Sequence, residues 1–149
     1  PGSVVTFSAT VTNNGTAATT AGTSVVTGFS VDSVAITSPA ADTASLAVGA
    51  SRVVTATWTA TLGSHTVVAT ADKNNTVIEL NETDNTRSQS FSAYKPGDAN
   101  NDNLVNSGDL AVISFNWLKT GMTFAQGDFN GDGTINSADL ATLSFNWLK

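Results

Sequence analysis

From Val5 to Val11, apolar side chains occupy every second position (Val5, Phe7, Ala9, Val11), with Thr and Ser between them. The run stops at TNNGT, whose residues suit turns. The alternation returns at Val25, Thr27, Phe29 and Val31 before Asp32-Ser33, and again at Val54, Ala56 and Trp58 before a turn at TLGS. HTVVATA and TRSQSFSAY complete the series. Short strands rich in Thr and Val, punctuated by Gly, Asn, Ser or Pro, predict a mainly β antiparallel sandwich. Trp58 shares its parity with Val54 and Ala56, which makes it a core residue rather than an exposed sugar-stacking ring.

After Tyr94 the period changes. GDANNDNLVNSGDLAVISFNWLK is followed, at an offset of thirty residues, by GDFNGDGTINSADLATLSFNWLK. In each copy the apolar positions fall at helical spacing: Leu110, Ile113 and Trp117, then Leu140, Leu143 and Trp147. On a wheel of about 100° per residue each trio spans about 60°, which predicts two helices sharing these residues as a core. Phe115 and Phe145 fall on the far side, next to Val112 and Lys119 or to Thr142 and Lys149. SAYKPG and TGMTFAQG are too short and too broken by Gly and Pro to be helices entering the loops. The expected organisation is a sandwich over residues 1–94, a linker at 95–97, and a small all-α module of two loop-helix repeats over 98–149.

Charge sharpens this division. Only Asp32 and Asp42 precede Asp72, which leaves ten of the twelve acids at or beyond it, and the net charge is −6. Acids gathered in a few segments argue for cation sites. Six basic residues scattered singly leave no footprint for nucleic acid. No apolar run approaches the ~20 residues that span a bilayer. The absence of cysteine excludes disulfides and thiolate metal sites. His65, beside a turn and without a second His, receives no role. The chain opens at Pro1-Gly2 on a strand pattern without a leader, and so reads as a fragment of a longer protein.

The repeats carry the candidate chemistry. Asp98, Asn100, Asp102, Asn106 and Asp109 stand at the first, third, fifth, ninth and twelfth places of one loop, and Asp128, Asn130, Asp132, Asn136 and Asp139 at the same places of the other. This is the ligand schedule of an EF-hand calcium loop, with the seventh place, Leu104 or Thr134, lending its carbonyl. A hard dication takes six to eight oxygens, and only a tightly curled loop turns alternate side chains to one centre. The curl needs a residue tolerant of positive φ at the sixth place, which Asn103 and Gly133 supply. Val105 and Ile135, at the eighth, can face inward and pair the loops. Two features depart from the EF-hand formula: Asp stands at the twelfth place, and no helix enters. Without a cation each loop holds three repelling carboxylates on a domain of about fifty residues, so calcium is expected to be linked to folding. A further connection, DKNNTVIELNETDN, places Asp72, Asn74, Glu79, Asn81, Glu82 and Asp84 close together. Two readings fit it: a third cation site, or Asx turns with solvated glutamates.

FSATVTNNGTAA, GFSVDSV, LAVGASRVVTATWTATLGSHTVVATAD and NNTVIELNETDNT resemble the CARDB family of immunoglobulin-like domains common in secreted bacterial proteins. That resemblance implies a spacer without a shared catalytic site. The duplicated tail resembles a type I dockerin, the calcium-dependent module by which secreted polysaccharide-degrading enzymes dock onto cohesin domains of a scaffold. It implies two calcium ions, a cohesin partner, a cellulosome-like extracellular assembly and a catalytic domain upstream. It also places the partner contacts at Ser107, Gly108, Val112, Phe115 and Lys119, with Ser137, Ala138, Thr142, Phe145 and Lys149 in the second copy. Phe115 and Phe145 stand where many dockerins carry a basic residue, and Ser-Gly and Ser-Ala replace the usual Ser-Thr pair. The chain is thus expected to be non-catalytic, since its tail acids are committed to cations. The alternative is a calcium-stabilised terminus of a secreted glycan-active enzyme with no cohesin partner, its Phe rings packed within the chain.

Overall fold

The structure is a computed structural model and describes residues 2–21, 27–37 and 44–149. Val25 and Asp42 lie outside the described residues. The chain divides into two compact units, Pro1–Ala93 and Tyr94–Lys149.

The first unit contains β1 (Val4–Thr12), β2 (Gly28–Val31), β3 (Val34–Ile36), β4 (Ser51–Thr59), β5 (Gly63–Thr70) and β6 (Thr86–Ala93). Among the described residues β1 pairs with β4, and a second sheet has the order β3-β2-β5-β6, all antiparallel. Period two sets the faces. Opposite Val5, Phe7 and Ala9 stand Trp58, Ala56 and Val54, so Trp58 lies on the inner face, half-buried. Asp32 and Ser33 both take positive φ (50° and 68°) between the paired Val31 and Val34. That is the two-residue turn whose twist matches a hairpin. Phe29, Val31, Leu46, Ala56 and Ala60 are buried. Phe7, Trp58, His65 and Phe91 form an aromatic cluster with centroid separations of 4.9 to 6.3 Å. Beyond it a cleft of about 1280 Å³ remains, lined by Phe7, Val11, Phe29, Leu46 and Val67 among others. The inner face of β1 is consequently only half-buried.

The second unit contains α1 (Ser107–Asn116), a 3-10 turn (Phe124–Gln126) and α2 (Ser137–Phe145). Asn106 and Asn136 cap the helices: their side chains accept from the Gly108 and Ala138 N–H groups, while the Asp109 and Asp139 carboxylates accept from the Asn106 and Asn136 N–H groups. This is the capping-box arrangement with Asn and Asp in place of Ser and Glu.

The core differs from the expected helix stripe. Val105, Ile113, Ile135 and Leu143 form it, with Met122 and Phe129 packed against them. Leu110, Trp117 and Trp147 are 36%, 41% and 38% exposed. The reason is helix length. Each helix ends before its Trp, and Trp117 has extended ψ (129°), so the i+7 position leaves the stripe. Val105 and Ile135 take the space instead. They share one cluster, but their backbone partners are not each other. Leu148 N–H donates to Val105 O, Leu118 N–H donates to Ile135 O, and Ile135 N–H donates to Lys119 O. Each loop is therefore tied to the segment that follows the other repeat's helix. Tyr94 stacks on Phe124 at 4.6 Å, and Lys95 Nζ donates to Asn103 O and Lys149 O, so residues at the expected linker belong to this unit.

Candidate functional site

The two loops are near copies in their hydrogen bonds. Asp98 Oδ2 accepts from Asn103 N–H and Asp128 Oδ2 from Gly133 N–H, each at 2.9 Å. Asn100 and Asn130 side chains accept from the Asp102 and Asp132 N–H groups, and both amides donate to those aspartates at 2.9 Å. Asp102 and Asp132 accept in turn from Leu104 and Thr134 N–H. Asp109 Oδ1 accepts from Ala99 and Asn100 N–H, and Asp139 Oδ1 from Phe129 and Asn130 N–H. Alternate side chains thus fold back on the loop backbone, which is what a tight curl of Asx residues does.

The curl rests on four left-handed residues. Asn103 (φ 67°) and Gly133 (φ 82°) hold the sixth places, as expected. Asn101 (φ 60°) and Gly131 (φ 75°) hold the fourth, which sequence reasoning missed, although the Asn or Gly at both places was the available signal.

The electrostatics are unusual for so small a unit. Asp98, Asp109, Asp128 and Asp139 are buried, and among the described residues no basic side chain pairs with any loop carboxylate. The Asn130 amide and the Thr134 N–H hold the Asp132 carboxyl below its ordinary range. Burying carboxylates beside neutral donors alone is costly, and a cation among them would offset that cost. The donor set, carboxylates with amide and carbonyl oxygens, fits a hard dication such as calcium. The carboxylates are not drawn to one point, however: among the described residues no three Asp, Glu or His side chains gather closely enough to hold a metal.

On the outer helix surfaces Ser107, Gly108, Ser137 and Ala138 are exposed, and Val112 and Thr142 are half-buried. Phe115 is 78% and Phe145 75% exposed. Lys119 Nζ lies 4.1 Å from the Phe115 ring centroid, and Lys149 Nζ lies 3.8 Å from that of Phe145. Neither ring is packed inside its unit.

The 72–84 connection is built from Asx turns. Buried Asp72 accepts from Thr76 N–H, Thr76 Oγ1 and Val77 N–H. Asn81 accepts from Thr83, while exposed Glu79 and Glu82 both accept from the Asn85 amide. Asn74 and Asp84 are exposed. His65, given no role from sequence, is buried and bonded on both ring nitrogens. Its parity with Val67 and Ala69 was the signal that it faces inward.

A β-sandwich joined to a calcium-type loop-helix duplication defines a two-module protein. Residues 1–89 match the CARDB family and residues 96–146 the dockerin type I domain. The chain belongs to the CARDB family and carries a type I dockerin at its C-terminal end. The crystal structure of the CARDB domain of the PF1109 protein from Pyrococcus furiosus, in complex with di-metal ions, is 26% identical. It has a TM-score of 0.51, with 61% of this chain and 78% of that chain covered. The solution NMR structure of the same domain gives the same identity and TM-score over 61% and 80%. No curated protein matches the chain. Type I dockerins bind calcium and imply assembly through a cohesin, and they occur in extracellular cellulosome components. No helix among the described residues is long and apolar enough to cross a membrane.

Proposed function

We propose that the chain is the docking end of a secreted bacterial polysaccharide-degrading protein whose catalytic domain lies upstream. Its second unit binds two calcium ions and a cohesin of a scaffold, and the sandwich is the spacer. The observation that carries this reading is the duplicated face itself: an exposed Phe beside a Lys, twice, each on a helix capped by a loop of buried, uncompensated carboxylates. Asp98, Asn100, Asp102, Leu104 O, Asn106 and Asp109 would hold one ion, and Asp128, Asn130, Asp132, Thr134 O, Asn136 and Asp139 the other. Calcium supplies the positive charge that lets three carboxylates share one loop.

Ser107, Gly108, Val112, Phe115 and Lys119, or Ser137, Ala138, Thr142, Phe145 and Lys149, would meet the cohesin. Exposed aromatic rings such as Phe115 and Phe145 are a residue type enriched at interface cores. Because the two faces are near copies, each can dock the same partner, giving two orientations at one-to-one stoichiometry. Titration calorimetry with calcium, then with a panel of cohesins, tests the reading. Phe115→Ala and Phe145→Ala singly are expected to retain binding and the double variant to lose it. Calcium uptake without any cohesin binding would leave a calcium-stiffened terminus instead.

A second reading concerns Asp72, Asn74, Glu79, Asn81, Glu82 and Asp84. It is favoured by the di-metal complex of the related Pyrococcus domain. A third ion persisting in the calcium titration of an Asp98→Asn, Asp128→Asn double variant, and lost with Asp84→Asn and Glu79→Gln, would support it.

A further inference from the structure

His65 lies on β5 with 8% of its surface exposed. Its ring centroid is 4.9 Å from that of Trp58 and 5.5 Å from that of Phe91. Nδ1 lies 2.7 Å from Asp32 Oδ2, and Nε2 lies 3.0 Å from the Thr61 carbonyl oxygen. A carboxylate and a carbonyl only accept, so both ring nitrogens must carry hydrogen for both bonds to exist. The geometry therefore calls for an imidazolium.

The partners make this proton structural. Asp32 stands at positive φ in the β2–β3 turn, and its other oxygen accepts from Thr66 N–H on β5 at 2.9 Å. Thr61 lies in the β4–β5 connection. We propose that His65 is a proton-operated latch of the sandwich: charged, it ties the Asp32 turn and the Thr61 connection to β5, and neutral, it releases the second of these ties. On losing a proton while keeping Asp32, the ring turns an Nε2 lone pair toward the Thr61 carbonyl. The nearest donor is then the Thr61 hydroxyl, 3.5 Å away. The two protonation states thus want different partners.

Among the described residues no other charge competes at the site. β4 presents Trp58, with Arg52 at the other end of the strand; β6 presents Phe91, with Arg87 near its far end; β1 presents Phe7 and carries no titratable side chain. The β2–β3 turn presents Asp32. In keeping with this geometry, the Asp32 hydrogen bond raises the His65 pKa above 6.5 against the opposing effect of burial, and the same bond, with that from Thr66, lowers Asp32 below 3.8. A raised histidine contributes stability that is full below its unfolded value and is lost as pH rises through the folded one. A lowered carboxylate contributes stability above its unfolded value that is lost as pH falls. The latch holds between these limits and fails on the alkaline side.

The chain has one histidine, so its ring is unambiguous in a long-range proton–nitrogen NMR titration of the full chain from pH 4.5 to 9. The expected result is an imidazolium with both nitrogens protonated at pH 6.5, a midpoint above that value, and a sandwich melting temperature that declines as pH passes the midpoint. Asp32→Asn is expected to lower the midpoint and flatten the pH dependence. A wild-type midpoint at or below 6.5, or a melting temperature indifferent to the titration, overturns the proposal whether or not the variant folds.

Discussion

Asp32 of the sandwich and the buried loop aspartates of the second unit stand in opposite conditions. In the sandwich, Asp32 has a cationic partner in His65, and the inner face of β1 is half-buried. In the loop-helix unit the apolar core is buried, whereas four buried carboxylates accept from backbone N–H groups and, among the described residues, pair with no basic side chain. The contrast teaches that packing alone does not say where stability is conditional. The better-packed unit is the one expected to depend on an ion, since burying carboxylates is costly and a core of four residues is small.

The strongest way to break that contrast is chelation. Removing calcium is expected to unfold the second unit while the sandwich keeps its β spectrum, since an ion at a thousand times its Kd contributes about 4 kcal/mol. Far-ultraviolet circular dichroism at helical and β wavelengths, with and without chelator, separates the two, and joint unfolding would end the comparison. Next in size, Ile113→Ala or Leu143→Ala is expected to cost about 2–5 kcal/mol, read in denaturant titrations as an earlier loss of helix only. Gly97→Ala comes below these. At φ 92° its new Cβ would sit 3.1 Å from Val105 Cγ1 and 3.2 Å from Leu143 Cα, and about 1–3 kcal/mol should be lost in the same titration. Smallest on stability, the Phe115→Ala, Phe145→Ala pair should move the melt by no more than about 0.5 kcal/mol while removing cohesin binding. A large destabilisation would mean that the rings serve the fold.

Much of this was legible in the sequence because it is periodic or repeated. Alternation at Val5–Val11 reported an inner face, and the Asp and Asn spacing reported a curled loop. What escaped depended on where elements stop and on what comes near across the fold. Trp117 and Trp147 satisfy the helical period in the text, but the helices end one or two residues too soon. His65 was isolated in sequence and acquired its partners only when β2, β4 and β5 were assembled, since Asp32 lies thirty-three positions away. The roles of Val105 and Ile135 were half visible: their burial followed from pattern, their partners from tertiary contact.

Those partners have a consequence for the repeat as a unit of inheritance. Each copy completes its loop with the segment behind the other copy's helix, so neither half holds the closure it needs. A lone repeat could find it only in another molecule bearing the same sequence. The duplication has thereby turned what would be a concentration-dependent encounter between two chains into a fixed property of one.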